Sequence, residues 1–405
     1  MKVLQINTTV NSGSHGRIAE EIGLSLIAAG HESYIAAAYT GRPSRSQIIE
    51  IGDDLDKKLH GLKTRLFDRH GFGSKTSTRK LVRQVKNIDP DIIHLHNIHG
   101  YYLHIGVLFE YLKSAKKPVV WTFHDCWPFT GHCSHFDAVN CFKWKTGCYS
   151  CPNKSGYPKS ILFDNSRINY RDKKQLLTGV SNMVLVSPSQ WLAGHLRESF
   201  LKDYEIKVIN NGIDTENFKP IISDTLTEKY KISRKYILGV ASSWTKRKGL
   251  DDFIRLRAML KPEIGIVLVG PNRNQARKLP DGIISISRTE NIDELAALYS
   301  GAEVFVNPTY VDNFPSTNIE ALACGTPVIT YNTGGSPEAI DENTGIVVEK
   351  GDITSLGKAV ETILKKGKEH YSSACRNRAV KLYNKTVKYG EYISLYQSML
   401  ERNNA

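Results

Sequence analysis

The sequence predicts an α/β protein of two domains, each a parallel sheet covered by helices. Short apolar runs of strand length alternate with stretches of helical period, which is the pattern of parallel strands joined by crossover helices. The alternation pauses over the polar, aperiodic residues 215–233 and restarts at Tyr236. A chain of 405 residues, 40% of them apolar, can bury two cores, and domains of roughly 200 residues each are the natural division.

Residues 2–7 read as the first strand. The loop Asn11-Ser12-Gly13-Ser14-His15-Gly16 leads into a periodic helix from Ile18 to Ala29, which Gly30-His31 stops before a strand near Tyr34 to Ala37. A Gly-rich turn from strand to helix lets backbone approach a phosphate, although it serves equally as a plain turn. Asp91 to His96 and Val119 to Phe123 are the next buried strands. Asp89-Pro90-Asp91 precedes its strand, whereas ligands of open parallel sheets gather at carboxyl ends, so these acids stop a helix and start a strand. His94, His96, Asn97 and His99 follow one carboxyl end, and His124 and Asp125 the other. His94 and His96 share a face, which suits packed or hydrogen-bonded rings better than metal ligands.

Five of the seven cysteines, Cys126, Cys133, Cys141, Cys148 and Cys151, crowd into residues 126–151 among Trp127, His132, His135 and Trp144. Cys148-x2-Cys151 is a half-site for tetrahedral zinc, and Cys133 and Cys141 could supply two more thiolates. The spacing is not that of a standard zinc ribbon, so structural zinc and unconnected thiols both fit. Val184 to Val186, capped into a helix by Ser187-Pro188-Ser189, and Lys207 to Ile209 complete this half. Asn210-Asn211-Gly212-Ile213-Asp214 follows, and residues 215–233 read as a linker.

In the second half Tyr236 to Ala241 is a strand, and the loop from Ser242 to Gly249 joins it to a helix from Leu250. Lys246, Arg247 and Lys248 suit a diphosphate, though such a run is often a solvated turn. Ile264 to Gly270 and Ile283 to Ile286 are strands, and a helix opens at Ile292. The stretch from Val304 to Glu338 then reads as strand, polar loop, helix and strand. Ser316 or Thr317 caps the helix and Gly325 closes it. The helix start favours an anion, and the flanking carboxylates Asp312 and Glu320 suit paired sugar hydroxyls. Together they predict a ligand with a diphosphate centre and a sugar on each side. Helices from Ile353, from about His370 and from Tyr389 to Leu400 end the chain.

The formal charge of +13 raises membrane and nucleic-acid readings. Lys57, Lys58, Lys63, Arg65, Arg69, Lys75, Arg79, Lys80, Arg83 and Lys86 face the single acid Asp68, with Leu59, Leu62, Leu66 and Phe67 interleaved. A basic amphipathic surface and a solvated helix face are both consistent. Interleaved aromatics are few, which weakens a nucleic-acid role. No apolar run reaches the length of a membrane span, and the N-terminus reads as a strand, so a cytoplasmic protein is expected, at the inner face of the membrane if the basic surface docks there.

Asp312, Phe314, Pro315, Glu320, Ala321, Ala323, Gly325, Pro327 and Val328 resemble the signature of the family 4 retaining glycosyltransferases. Asp312 stands where that family usually has Glu. The resemblance implies the GT-B arrangement, two Rossmann-like domains with parallel sheets facing across a cleft that closes on its donor. The expected domains are residues 1–215 (acceptor side, with an insertion at 126–151), residues 216–385 (donor side) and a last helix, 386–405, crossing back onto the first.

The same resemblance gives roles to residues. Lys248 would neutralise the leaving diphosphate, Asp312 orient the donor sugar, and His124, which ends the strand VVWTFHD, contact it. Donor binding would involve Gly13, Gly16, Ser243, Arg247, Lys248, Arg288, Asn313, Phe314, Pro315, Ser316, Thr317, Asn318 and Glu320, with Glu320 on the ribose and Arg288 and Thr289 near the base. The family's upstream Arg is replaced by Ser242 or Ser243, for which Arg247 or Lys246 would compensate. The implied donor is a nucleoside diphosphate sugar, UDP- or GDP-linked, and the acceptor a glycan or lipid-linked sugar of bacterial polysaccharide synthesis. No catalytic metal and no nucleic acid are implied, and zinc would be structural only. A sugar-nucleotide epimerase of the same fold would form product without acceptor, and a basic nucleic-acid-binding protein would show salt-titrated RNA binding.

Overall fold

The computed structural model describes residues 1–221, 224–232 and 235–404. Its residues divide into two compact units, Met1–Asn210 with Lys388–Ala405, and Asn211–Val387.

The first unit holds β1 (Lys2–Val10), β2 (Glu32–Thr40), β3 (Gln47–Glu50), β4 (Ile92–Leu95), β5 (Val119–Thr122), β6 (Met183–Ser187) and β7 (Glu205–Val208). They form one parallel sheet in the order β3-β2-β1-β4-β5-β6-β7. Every residue of β4, β5 and β6 is buried, as parallel strands covered on both faces require. Alternate residues serve opposite layers. Leu4, Ile93, Trp121 and Leu185 join one core cluster. Val3, Ile92, Val120 and Val184 join another, with Ile18, Ile22 and Leu26 of the Gly13–Ala28 helix and Tyr389, Tyr392, Tyr396 and Met399 of the last helix, Lys385–Asn404.

The second unit holds β8 (Tyr236–Val240), β9 (Gly265–Val269), β10 (Ile283–Ile286), β11 (Val304–Asn307), β12 (Val328–Tyr331) and β13 (Gly345–Val348), again parallel, in the order β10-β9-β8-β11-β12-β13. Both sheets reverse their order beside the first strand, between β1 and β4 and between β8 and β11. In doubly wound sheets that switch point opens the ligand crevice at the carboxyl ends.

Four expectations need correction. Residues 215–233 are not a linker throughout: Asp224–Lys229 is helical, and Phe218 and Ile232 lie in the second core. Residues 222, 223 and 233 of that stretch are outside the described residues. The unit boundary falls at 210/211 rather than 215/216, because Ile213 N–H donates to Tyr383 O at 2.7 Å and Lys385 N–H to Ile213 O at 2.9 Å. The basic stretch is two helices, Asp54–Phe67 and Lys75–Ile88, separated where Asp68 and Ser74 take left-handed backbone. Finally, neither Ser316 nor Thr317 caps its helix: the N-cap residue is Pro315, and Ser316 is already helical.

Candidate active site

At the switch point of the second sheet, the loop after β8 is fastened to the loop after β11. Tyr310 N–H donates to Arg247 O at 2.8 Å, and Thr309 Oγ1 donates to the same carbonyl at 3.4 Å. Gly249 makes this approach feasible. It takes φ +76°, and a Cβ there would stand 2.3 Å from Pro308 O, so a larger residue would push the loops apart. The turn Lys246–Lys248 thereby brings Lys248 Nζ to Asp312 Oδ2, 2.7 Å away, with the two side chains 25% and 21% exposed. Gly334, at φ +55°, closes the other side, since a Cβ would lie 1.7 Å from Asp312 O.

The helix Ser316–Ala323 starts directly behind this pair, with no side-chain cap and no acid in its first turn. Its positive end is therefore available to a bound anion. The side chain of Asn318 is turned inward. Its Oδ1 accepts from Asn307 Nδ2 at 2.8 Å, and its Nδ2 donates to Ser336 O and Oγ, each at 3.2 Å. Asn318 thus ties the end of β11, the helix start and the turn after β12 into one piece. Phe314 is buried against Tyr383, with ring centroids 5.7 Å apart, and its carbonyl accepts from Asn211 Nδ2 at 3.2 Å. Asn313 and Pro315 are buried, while Ser316 and Thr317 are half-buried. Glu320 is 5% exposed, and its Oε2 accepts from Tyr299 Oη at 2.9 Å. Ser243 and Arg247, after β8, and Arg288, after β10, are exposed. The candidate donor residues of this unit therefore stand at carboxyl ends of its strands or on the helix following β11.

In the first unit Gly13 takes φ +66° at the head of its helix, and a Cβ on Gly16 would meet Thr9 Oγ1 at 2.6 Å. Gly16 thus lets the helix sit against β1. His124 follows β5 and stacks on His96, with centroids 5.4 Å apart and planes at 16°. The hydrogen bonds fix the tautomers. Gln5 Nε2 donates to Ala19 O at 2.9 Å, so its Oε1 accepts from His96 Nε2 at 2.9 Å. His96 Nδ1 then accepts from His124 Nε2 at 3.1 Å, leaving the lone pair of His124 on Nδ1. Behind them Thr122 Oγ1 donates to Tyr392 Oη at 3.2 Å and accepts from His94 Nε2 at 2.8 Å, while Tyr396 Oη donates to His94 Nδ1 at 2.7 Å. Burial, then neighbouring histidines, pushes His94, His96 and His124 well below the ordinary histidine range, and His15 down to about 4. These rings are neutral supports rather than charges. His99 pairs with Asp125 through Nε2 and Oδ2 at 2.8 Å.

Sequence reasoning did not single out Gln5, Tyr299, Asn307, Ser336 or Tyr396. Gln5 left a signal, a polar residue in the middle of the apolar strand VLQIN, where burial demands a partner.

A family profile described as Glycosyltransferase Family 4 matches residues 15–217, just over half of the chain. The chain is a member of that glycosyltransferase family. A second profile, Glycosyl transferases group 1, matches residues 223–381 of the glycosyltransferase. Among its relatives is WcaC of Escherichia coli (strain K12), named provisionally as a colanic acid biosynthesis glycosyl transferase, 24% identical over 98% of this chain and 100% of its own. The solved sucrose-phosphate synthase of Thermosynechococcus elongatus superposes at TM-score 0.73 with 20% identity, covering 99% of each chain. Anabaena HepE in complex with UDP-glucose superposes at 0.69 with 15% identity, covering 98% of this chain and 100% of its own. Both share with the glycosyltransferase the GT-B fold expected from its sequence.

Proposed function

We propose that this glycosyltransferase moves a sugar from a nucleoside diphosphate sugar to a glycan or lipid-linked acceptor of bacterial surface polysaccharide, with retention of anomeric configuration. The observation that carries the donor class is the adjacency of Lys248, Asp312 and the uncapped start of the Ser316–Ala323 helix at the switch point. Lys248 and the helix start meet the diphosphate, Asp312 accepts from sugar hydroxyls, and Glu320 holds the ribose. As the glycosidic bond breaks, negative charge grows on the departing diphosphate. A fixed ammonium and oriented N–H groups therefore stabilise the transition state more than the ground state. Without donor, Lys248 is held by Asp312; with donor, both groups exchange partners at once. Such a part-exposed pair is worth about 1 kcal/mol or less, so the exchange costs little. His124, with its lone pair set by His96 and Gln5, is assigned the sugar contact. HepE with its UDP-glucose supports the donor class by analogy, and the name of WcaC supports the polysaccharide setting.

The acceptor setting has a second support. In the helix Asp54–Phe67 the buried residues are His60 and Thr64, while Leu55, Leu59 and Leu62 are 65%, 57% and 54% exposed. Ile161 N–H donates to Arg65 O at 2.7 Å, and Phe163 stacks on Phe67 at 5.8 Å, which sets the exposed Ile161, Leu162 and Phe163 beside this helix. Lys58, Lys63, Arg65 and Lys159 are exposed around them. An apolar face ringed by cations fits the surface of an anionic bilayer, where a lipid-linked acceptor resides. No described helix is long and apolar enough to cross a membrane.

Thermal shift of the full chain against UDP, GDP and their sugars tests the donor class. Stabilisation by one nucleotide diphosphate and its sugars is expected, and no response to any of them would overturn the assignment.

A further inference from the structure

Residues 126–165 contain no described strand and only three short turns, Trp127–Phe129, Asp137–Val139 and Lys143–Lys145. A segment of that length without regular structure needs something besides its backbone to hold it. Part of the answer is aromatic: Phe129, Phe136 and Trp144 pack together, with ring centroids 4.9 to 6.4 Å apart. The rest lies in one small cavity, whose wall includes His132, Cys133, Cys141, Cys148 and Cys151. All seven cysteines of the chain are free thiols.

The wall shows the chemistry of a soft metal ion. Cys133, Cys141, Cys148 and Cys151 converge on this one wall, the donor set that tetrahedral zinc takes. Cys148 Sγ accepts from Gly131 N–H at 3.1 Å. His132 gives an independent sign. It is 2% exposed and its Nδ1 is hydrogen-bonded to Asp68, yet its Nε2 is buried with no hydrogen-bond partner. A carboxylate-oriented imidazole whose other nitrogen lacks a partner is the usual setting of a metal-binding histidine. The buried Lys173 Nζ braces the segment by donating to Trp127 O and Thr130 O at 2.7 and 3.1 Å.

We propose that this cavity binds one structural zinc ion through Cys133, Cys148 and Cys151, with Cys141 or His132 Nε2 as the fourth ligand. Among the described residues no three such donors already stand in a metal-holding array. The ion would therefore draw the sulfurs together and fix the segment, as structural zinc does in other small loop-rich elements.

The test is the metal and thiol content of the full chain, purified without chelator and without a histidine tag. About one equivalent of zinc is expected, released together with accessible thiols by a mercurial reagent, and Co(II) substitution should give a sulfur-to-metal charge-transfer band. Cys148→Ser should lose the zinc and Cys324→Ser keep it. Of Cys141→Ser and His132→Gln, the one that loses zinc names the fourth ligand. The proposal is overturned if the wild-type chain lacks stoichiometric zinc, or if its mass shows disulfides instead.

Discussion

Lys248 Nζ donates to Asp312 Oδ2 at 2.7 Å across two loops that are themselves hydrogen-bonded to each other. Sixty-four positions separate the two residues in sequence, and the adjacency exists because Gly249 lets one loop rest on Pro308. Removing the amine should hurt the reaction far more than the fold. Lys248→Ala is expected to lower kcat by about 100-fold or more, the scale of losing one transition-state charge contact. Its melting temperature should stay within a few degrees of wild type, because a part-exposed ion pair contributes about 1 kcal/mol or less. Steady-state kinetics beside calorimetry checks both halves.

Glu320 is buried and held by the Tyr299 hydroxyl at 2.9 Å. Tyr299→Phe should destabilise the protein by about 2 kcal/mol, the usual range for a buried hydrogen bond to a charged group. It should also raise KM for the donor more than it lowers kcat, since the carboxylate is placed to bind a ribose rather than the reacting bond. A variant with lowered stability and unchanged KM would show Glu320 to be purely structural.

The fold was legible because it depends on local patterns. Continuous apolar runs such as Val184 to Val186 announce buried parallel strands, and the family resemblance carried by Asp312 to Val328 implies the loop and helix beyond β11. Less was legible where tertiary packing overrides local signal. The strands β3 and β13 are four-residue strands at sheet edges with exposed positions, too short for a clear apolar run. Asn318 reads as a ligand contact beside a helix start, whereas its side chain is spent on Asn307 and Ser336, residues distant in sequence. Tyr396 reaches His94 from the far end of the chain, a relationship that no spacing encodes.

Buried histidines also set the acid response. His15 and His104 are held down to about 4 and His60 to about 3, in each case mainly by burial. In the unfolded chain these rings titrate near 6.5. Below that pH the unfolded state takes up more protons than the folded one, so stability falls as pH drops from about 6.5 towards 4. The melting temperature should decline over that interval. Because His96 and His124 also stay neutral, the kcat/KM profile should show no histidine limb near pH 6.5. A limb there would mean that His124 titrates in the working enzyme.

The inverted helix Asp54–Phe67 predicts association with anionic vesicles that weakens with salt. Lys57 contributes little to that surface, since its side chain is 12% exposed and turned towards Asp54. Reversing Lys58, Lys63 and Arg65 to Glu should release the chain from phosphatidylglycerol vesicles in a flotation assay. Turnover on a water-soluble acceptor should survive the change. Equal flotation of wild type and variant would remove the membrane role.

The most direct measurement is a crystal structure of the full chain with a nucleoside diphosphate bound. The phosphorus atoms should lie beside Lys248 Nζ and the backbone N–H groups of Ser316 and Thr317, with Lys248 turned away from Asp312. A diphosphate bound elsewhere, with the Lys248–Asp312 pair intact, would contradict the mechanism.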